Sequence, residues 1–201
     1  MNPFEDVRAP RPEIIENYKD FEPPPQVKEI ISILLDCVSP NYLRGLKAII
    51  LTNQAALTRN QRRQKIWSRN RKIRLAEARG AYYRATRSSP AIVWLYVDNI
   101  LKGMPGWILK VPMARYPEFG EVLYHEIGHH IHAVHEPVHE GKENVAEDWS
   151  KRLGRQFFRA HYWYLVPFRY PILFLVKAGL RITGVLRRRR WDKTESNEPA
   201  T

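Results

Sequence analysis

Helical and strand periods alternate along the chain. Val27, Ile30, Ile31, Leu34, Leu35 and Val38 recur at helical spacing, a stripe that begins after Pro25 and must end before Pro40. Leu46 to Leu51 reads as a buried strand. After Gly80, the residues Ala81-Tyr82-Tyr83-Arg84, a turn at Ser88-Ser89-Pro90 and the β-branched and aromatic run Ala91 to Val97 predict two strands joined by a turn. Gly103, Pro105 and Gly106 break the chain, Trp107 to Val111 fits a short strand or a helical turn, and Tyr116-Pro117-Glu118 predicts a helix start with an acid in its first turn. Val122 or Leu123, Ile127, Ile131 and Val134 form the core-facing stripe of that helix. Strands and helices in this mixture place the chain in the α+β class.

Composition bounds this picture. The 201 residues allow one domain of ordinary size with appendages and exclude a large multidomain machine. Residues 1–25 hold six prolines, ending in Pro23-Pro24-Pro25, and predict an extended arm outside the core. A formal charge of +12 is more than a core requires, so an acidic partner is implied. Most of it is local: residues 59–79 carry nine Lys/Arg against one acid, Glu77. With Trp67 among the arginines, this basic insertion fits either phosphate-backbone binding with a stacked base or a solvated helix face. No helix-turn-helix, zinc-knuckle or RNP pattern accompanies it.

Cys37 is the single cysteine, which excludes an internal disulfide framework and a CxxC zinc site; its apolar surroundings predict a buried, inert thiol. Any metal must be held by His and carboxylates. The residues from Met1 to Asp6 show no basic region leading into an apolar run, so a cytosolic protein is expected.

Candidate chemistry centres on Leu123-Tyr124-His125-Glu126-Ile127-Gly128-His129-His130-Ile131-His132, which contains His-Glu-x-x-His. At helical pitch His125 and His129 lie about 40° apart around the axis and one turn apart along it, so both imidazoles can close on one ion. Glu126 sits beside them, where a base can take a proton from water held at that ion. A catalytic zinc site needs a third protein ligand, and the downstream candidates are His132, His135, Glu136, His139, Glu140 and Glu143. Using His135 gives a metzincin-like spacing, but His132 stands where that pattern has its turn-permitting Gly, and Met1, Met104 and Met113 all lie upstream of where a methionine turn would fall. Using Glu143 calls on a separate helix, in which Glu143, Ala146, Glu147, Ser150, Leu153 and Phe157 share one face and the small Ala146 and Ser150 permit close approach. Glu147 could then accept the Nδ1 proton of a ligand His. His130, His132 and His139 read as surface or supporting residues, and His161, Tyr162 and Tyr164 as packing in preference to oxyanion donors.

His125-Glu126-Ile127-Gly128-His129 followed by Glu143-Asn144-Val145-Ala146-Glu147 resembles the gluzincin branch of the zincin metallopeptidases, whose signature is His-Glu-x-x-His and then Glu-x-x-x-Asp, with Glu147 here in place of Asp. Spacing and size are most similar to compact bacterial proteins of the ImmA/IrrE kind, and the likeness covers residues 26–160. The resemblance implies a zincin-like fold, with a small mixed sheet packed on an active-site helix and a second helix supplying the third ligand. It also implies a zinc-dependent peptidase with His125, His129 and Glu143 as ligands, Glu126 as general base and a polypeptide substrate. By the same likeness the strand near residues 91–97 would border the cleft and pair with extended substrate; from pattern alone it fits an interior strand equally. The competing reading is a protein that binds nucleic acid or an anionic membrane, its metal site structural or vestigial.

The segment from residue 161 to the C-terminus is apolar and basic. Between Tyr162 and Leu186 the longest charge-free stretch is Tyr170 to Val176, far short of the about 20 apolar residues a spanning helix needs, so no spanning helix is expected. Ile172, Leu173, Leu175, Val176, Leu180, Ile182, Val185 and Leu186 form an apolar face ahead of Arg187 to Arg190 and Trp191. That fits a helix lying on anionic lipid or one covering the catalytic domain.

Overall fold

The computed structural model describes residues 11–68, 71–104, 112–135 and 142–162. The chain divides into two units, Met1–Phe158 and Arg159–Thr201, and only the last helical residues of the second are described. The expectations for Trp107 to Val111, Glu136, His139, Glu140, Tyr164 and the C-terminal apolar and basic segment, and for the side chains of Trp67 and His135, lie outside the described residues.

The first unit is α+β. A four-stranded sheet has the order β1-β2-β6-β5, from β1 (Glu13–Asn17), β2 (Leu46–Thr52), β5 (Gly80–Tyr83) and β6 (Ala91–Tyr96). β1 and β6 flank β2 in parallel, and β5 closes one edge antiparallel to β6. Ile49, Leu51, Val93 and Leu95 of the two central strands are fully buried, as their near-continuous apolar sequence requires. The strand of residues 91–97 is therefore an interior strand; the edge that borders the cleft is β5.

The Pro-rich arm, expected to lie outside the core, is bonded into the sheet along residues 13–17. Three of its five strand positions beyond Ile14 and Ile15 are polar and exposed, which suits an edge. The Asn53 side chain continues the pairing past the strand end: Oδ1 accepts from the Lys19 N–H at 2.9 Å and Nδ2 donates to the Lys19 carbonyl at 2.8 Å.

Helix α1 (Val27–Asp36) buries Val27, Ile30, Ile31, Leu34 and Leu35. Pro40 ends the possibility of continuation, and the chain turns through Pro40–Leu43 into β2. Cys37 is half-buried, not fully buried as expected; partial burial, aided by the Asp36 charge, pushes its thiol up. Two short helices follow, α2 (Arg59–Arg63) and α3 (Val97–Leu101).

Helix α4 (Pro112–His135) starts earlier than the Tyr116-Pro117-Glu118 signal suggests and carries Pro117 inside it. Pro117 falls in the second turn, where the missing N–H costs one bond near an end already short of partners. Phe119, Leu123, Ile127 and Ile131 pack into the core, whereas Val134, expected in that stripe, is 45% exposed. The Tyr124 hydroxyl donates to the Leu34 carbonyl at 3.0 Å, and buried Arg115 donates to the Pro25 carbonyl at 2.6 Å, so α4 is fixed to both ends of α1. Helix α5 (Lys142–Tyr162) follows.

The basic insertion is not one helix face. Thr58 caps α2 through a capping box with Gln61, and the chain then forms a two-stranded hairpin of β3 (Lys65–Ser68) and β4 (Arg71–Arg74). Ile66 lies opposite Ile73, and both pack against a satellite core of Leu57, Leu75, Ala76, Ala78, Ala81 and Tyr96. Those paired isoleucines, two-residue alternation among the cations, are why the segment is a ladder.

Candidate metal centre

Three side chains from two helices converge beside the edge strand. His125 and His129 stand on successive turns of α4 with ring centroids 4.7 Å apart and planes at 86°. Glu143, in the first turn of α5, places Oε2 3.5 Å from His125 Nε2 and Oε1 3.6 Å from His129 Nε2. One ligand atom from each of the three lies within 4.8 Å of the others, the only such group of His, Cys, Asp or Glu among the described residues. Two imidazoles and a carboxylate without a thiol form a donor set that suits a borderline cation such as zinc.

Close helix packing creates this geometry. A Cβ at Gly128 would stand 2.7 Å from the Ala146 carbonyl oxygen and 2.8 Å from its Cα, so only glycine lets the two backbones meet there. Gly128 is the residue before His129, and Ala146 is one turn after Glu143, so the contact draws ligands from distant sequence together. The Ser150 hydroxyl adds a bond to the Glu121 carbonyl at 3.2 Å. Ala146, Leu153 and Phe157 are buried as the helical stripe predicts.

Glu147 leaves that stripe. Its side chain is 58% exposed and pairs with Lys151 at 2.8 Å, one turn along α5.

Glu126 is buried against the edge strand, only 7% exposed. A Cβ at residue 80 would lie 2.8 Å from Glu126 Oε1 and 2.7 Å from Val122 Cγ1, so Gly80 is the opening through which the carboxylate reaches the cleft. The cleft, about 190 Å³, is lined by Ile66, the strand residues 80–83, His125, Glu126, His129 and Glu143. Gly80, Tyr82, Tyr83 and Ile66 were not singled out as site residues from sequence. A glycine opening a strand that follows a basic run, with two tyrosines after it, was the available signal. Burial pushes both tyrosine hydroxyls up, so they remain proton donors across the neutral range.

His130 and His132 are not at the surface. His130 is 1% exposed, with Nε2 3.0 Å from the Arg44 carbonyl and Nδ1 3.2 Å from the Tyr82 hydroxyl. A carbonyl only accepts, so Nε2 carries a proton and donates it to Arg44. His132 is also buried, and its Nε2 has no hydrogen-bond partner. His161 is exposed and Tyr162 is buried, both at the end of α5 in the second unit. No helix among the described residues is long and apolar enough to cross a membrane.

Compared with known proteins, the chain matches no family model, no curated protein and no solved structure. The site is thus defined by its own geometry.

Proposed function

We propose that this protein is a zinc-dependent metallopeptidase of the gluzincin kind, with a zincin-like fold. The observation that supports the reading best is that Glu143 approaches both Nε2 atoms from a separate helix while buried Glu126 borders the same cleft. In this reading His125, His129 and Glu143 hold the ion. Zinc in a set of two histidines and a carboxylate supplies Lewis acidity and lowers the pKa of water.

The chain's own groups do the rest. Glu126 takes the proton of the attacking water on its carboxylate and delivers it to the nitrogen of the leaving amine. Its burial beside Gly80 restricts the carboxylate to few positions, which favours one proton path. The outer edge of β5 offers backbone N–H and C=O groups to an extended polypeptide, in the way a sheet accepts one more strand. Tyr83, with a protonated hydroxyl at the cleft wall, is placed to donate to a substrate carbonyl.

Metal content separates this reading from nucleic-acid or membrane binding through residues 59–79. Full-length protein should purify with about one zinc, Glu126→Gln should keep it while losing peptide hydrolysis by at least about 100-fold, and Glu143→Ala should lose the metal. Unchanged zinc in Glu143→Ala, or full hydrolysis by Glu126→Gln, would refute the assignment. Binding to anionic polymers that survives loss of both histidines would favour the competing reading.

A further inference from the structure

The basic hairpin carries an exposed cation on the same face as its packed isoleucines. Ile66 and Ile73 are paired across β3 and β4 and seat the hairpin on the satellite core. Residue 71 lies two positions before Ile73 and so shares its face. That residue is Arg71, whereas Lys65, Lys72 and Arg74 belong to the opposite, outer face.

This inner face is a wall of the metal cleft. Ile66 lines the arm that holds His125, His129 and Glu143. Arg71 and Ile73 line a second arm of about 170 Å³, which shares Gly80, His125 and Glu126 with the first. Two further charges of that second arm are matched: Arg79 pairs with Glu118 and, at 3.4 Å, with Glu121, and Glu77 pairs with Arg74. Arg71 is exposed and makes no ion pair among the described residues, so its guanidinium is open to a ligand in the arm that Glu126 also lines.

We infer that Arg71 is a specificity determinant which binds a carboxylate of the polypeptide in this arm; the inference rests on the peptidase reading of the same site. A guanidinium accepts a carboxylate through two parallel hydrogen bonds, which selects position as well as charge. The outer-face cations act differently, raising the arrival of acidic chains through a diffuse field without selecting a position. The carboxylate has two sources, an Asp or Glu side chain or the free C-terminus of a peptide.

The test uses N-acetylated hexapeptides with Glu, Gln or Lys placed at each position in turn, made both as C-terminal amides and as free acids. Cleavage is measured with the zinc-loaded full chain, and binding is measured by fluorescence anisotropy with zinc-loaded Glu126→Gln. Glu should exceed Gln at one position by about 5- to 10-fold in both readouts, the range for a charge-assisted contact at a partly solvated site. A gain confined to the free acids instead assigns the contact to the terminal carboxylate. Arg71→Gln should erase the preference, and Arg71→Glu should transfer it to Lys. Lys72→Gln makes the same charge change on the outer face and should preserve it.

Equal handling of Glu and Gln in both series overturns the inference, as does a preference that Lys72→Gln weakens as much as Arg71→Gln. Cleavage indifferent to charge leaves the peptidase reading standing and removes Arg71 from it. Arg71-dependent binding of acidic peptides without cleavage of any peptide removes the peptidase reading and leaves the carboxylate site.

Discussion

His125 and His129 border a cleft and face an acid from another helix, whereas His130 and His132, on the same helix, are sealed in the core. The four rings are chemically identical and lie within eight residues. Rotation around α4 separates them: the first pair falls on the side that meets Glu143, and His130 falls toward β5 and the turn at Arg44. A buried imidazole needs partners for two nitrogens, and His130 finds them in a hydroxyl and a carbonyl. His125 and His129 instead direct Nε2 toward a carboxylate, leaving donor atoms that can share a cation. An imidazole's role is therefore set by which acceptor the tertiary structure brings to it.

Exchanging single members of the two pairs would break or sharpen this contrast. The largest effect is expected for His129→Gln. Zinc affinity should fall more than about 100-fold in a competition assay with a chelator, since even outer partners of zinc ligands contribute 10- to 100-fold. Retained affinity would mean that the ion lies elsewhere. His130→Leu should do the opposite, preserving zinc stoichiometry while costing about 1–3 kcal/mol in a denaturant titration, because the Tyr82 hydroxyl and the Arg44 carbonyl lose their partner. Loss of zinc with unchanged stability in that variant would erase the distinction between the pairs. His132→Phe should have the smallest effect. Its Nε2 is buried without a partner, so an apolar ring of similar size should leave stability within about 0.5 kcal/mol or raise it, read from the same titration. A large loss would show that His132 carries structure through its other nitrogen.

The same division between local pattern and distant partner governs how much was legible in the chain. Helix α1, strand β2, the β5–β6 pair and the buried stripe of α5 were all readable, because their apolar residues repeat at the period of the element that forms. The Glu143 position was readable for a related reason: small Ala146 and Ser150 on the same stripe mark where another helix can come close. The basic segment misled. Nine cations within residues 59–79 obscured Ile66 and Ile73, which mirror each other across the turn and seat a hairpin. Val134 and Glu147 continued helical stripes on paper, yet Val134 is 45% exposed and the Glu147 side chain is exposed beside Lys151. Pro117 suggested a helix start because proline is common there, yet it falls in the second turn, where the helix forgoes one bond near its end.

Periodicity and composition by themselves determined the α+β class, the spacing of His125 and His129 on one helix and the carboxylate of Glu126 beside them. These depend on residues within a few turns of one another, and local geometry alone relates such residues. Which acid meets the histidines, which strand borders the cleft and which arginine faces it depended on contacts between segments tens of residues apart. Such contacts are settled by packing, at Gly128 against Ala146 and at Gly80 against Glu126, where the lack of a single methyl group permits approaches that no periodic pattern records.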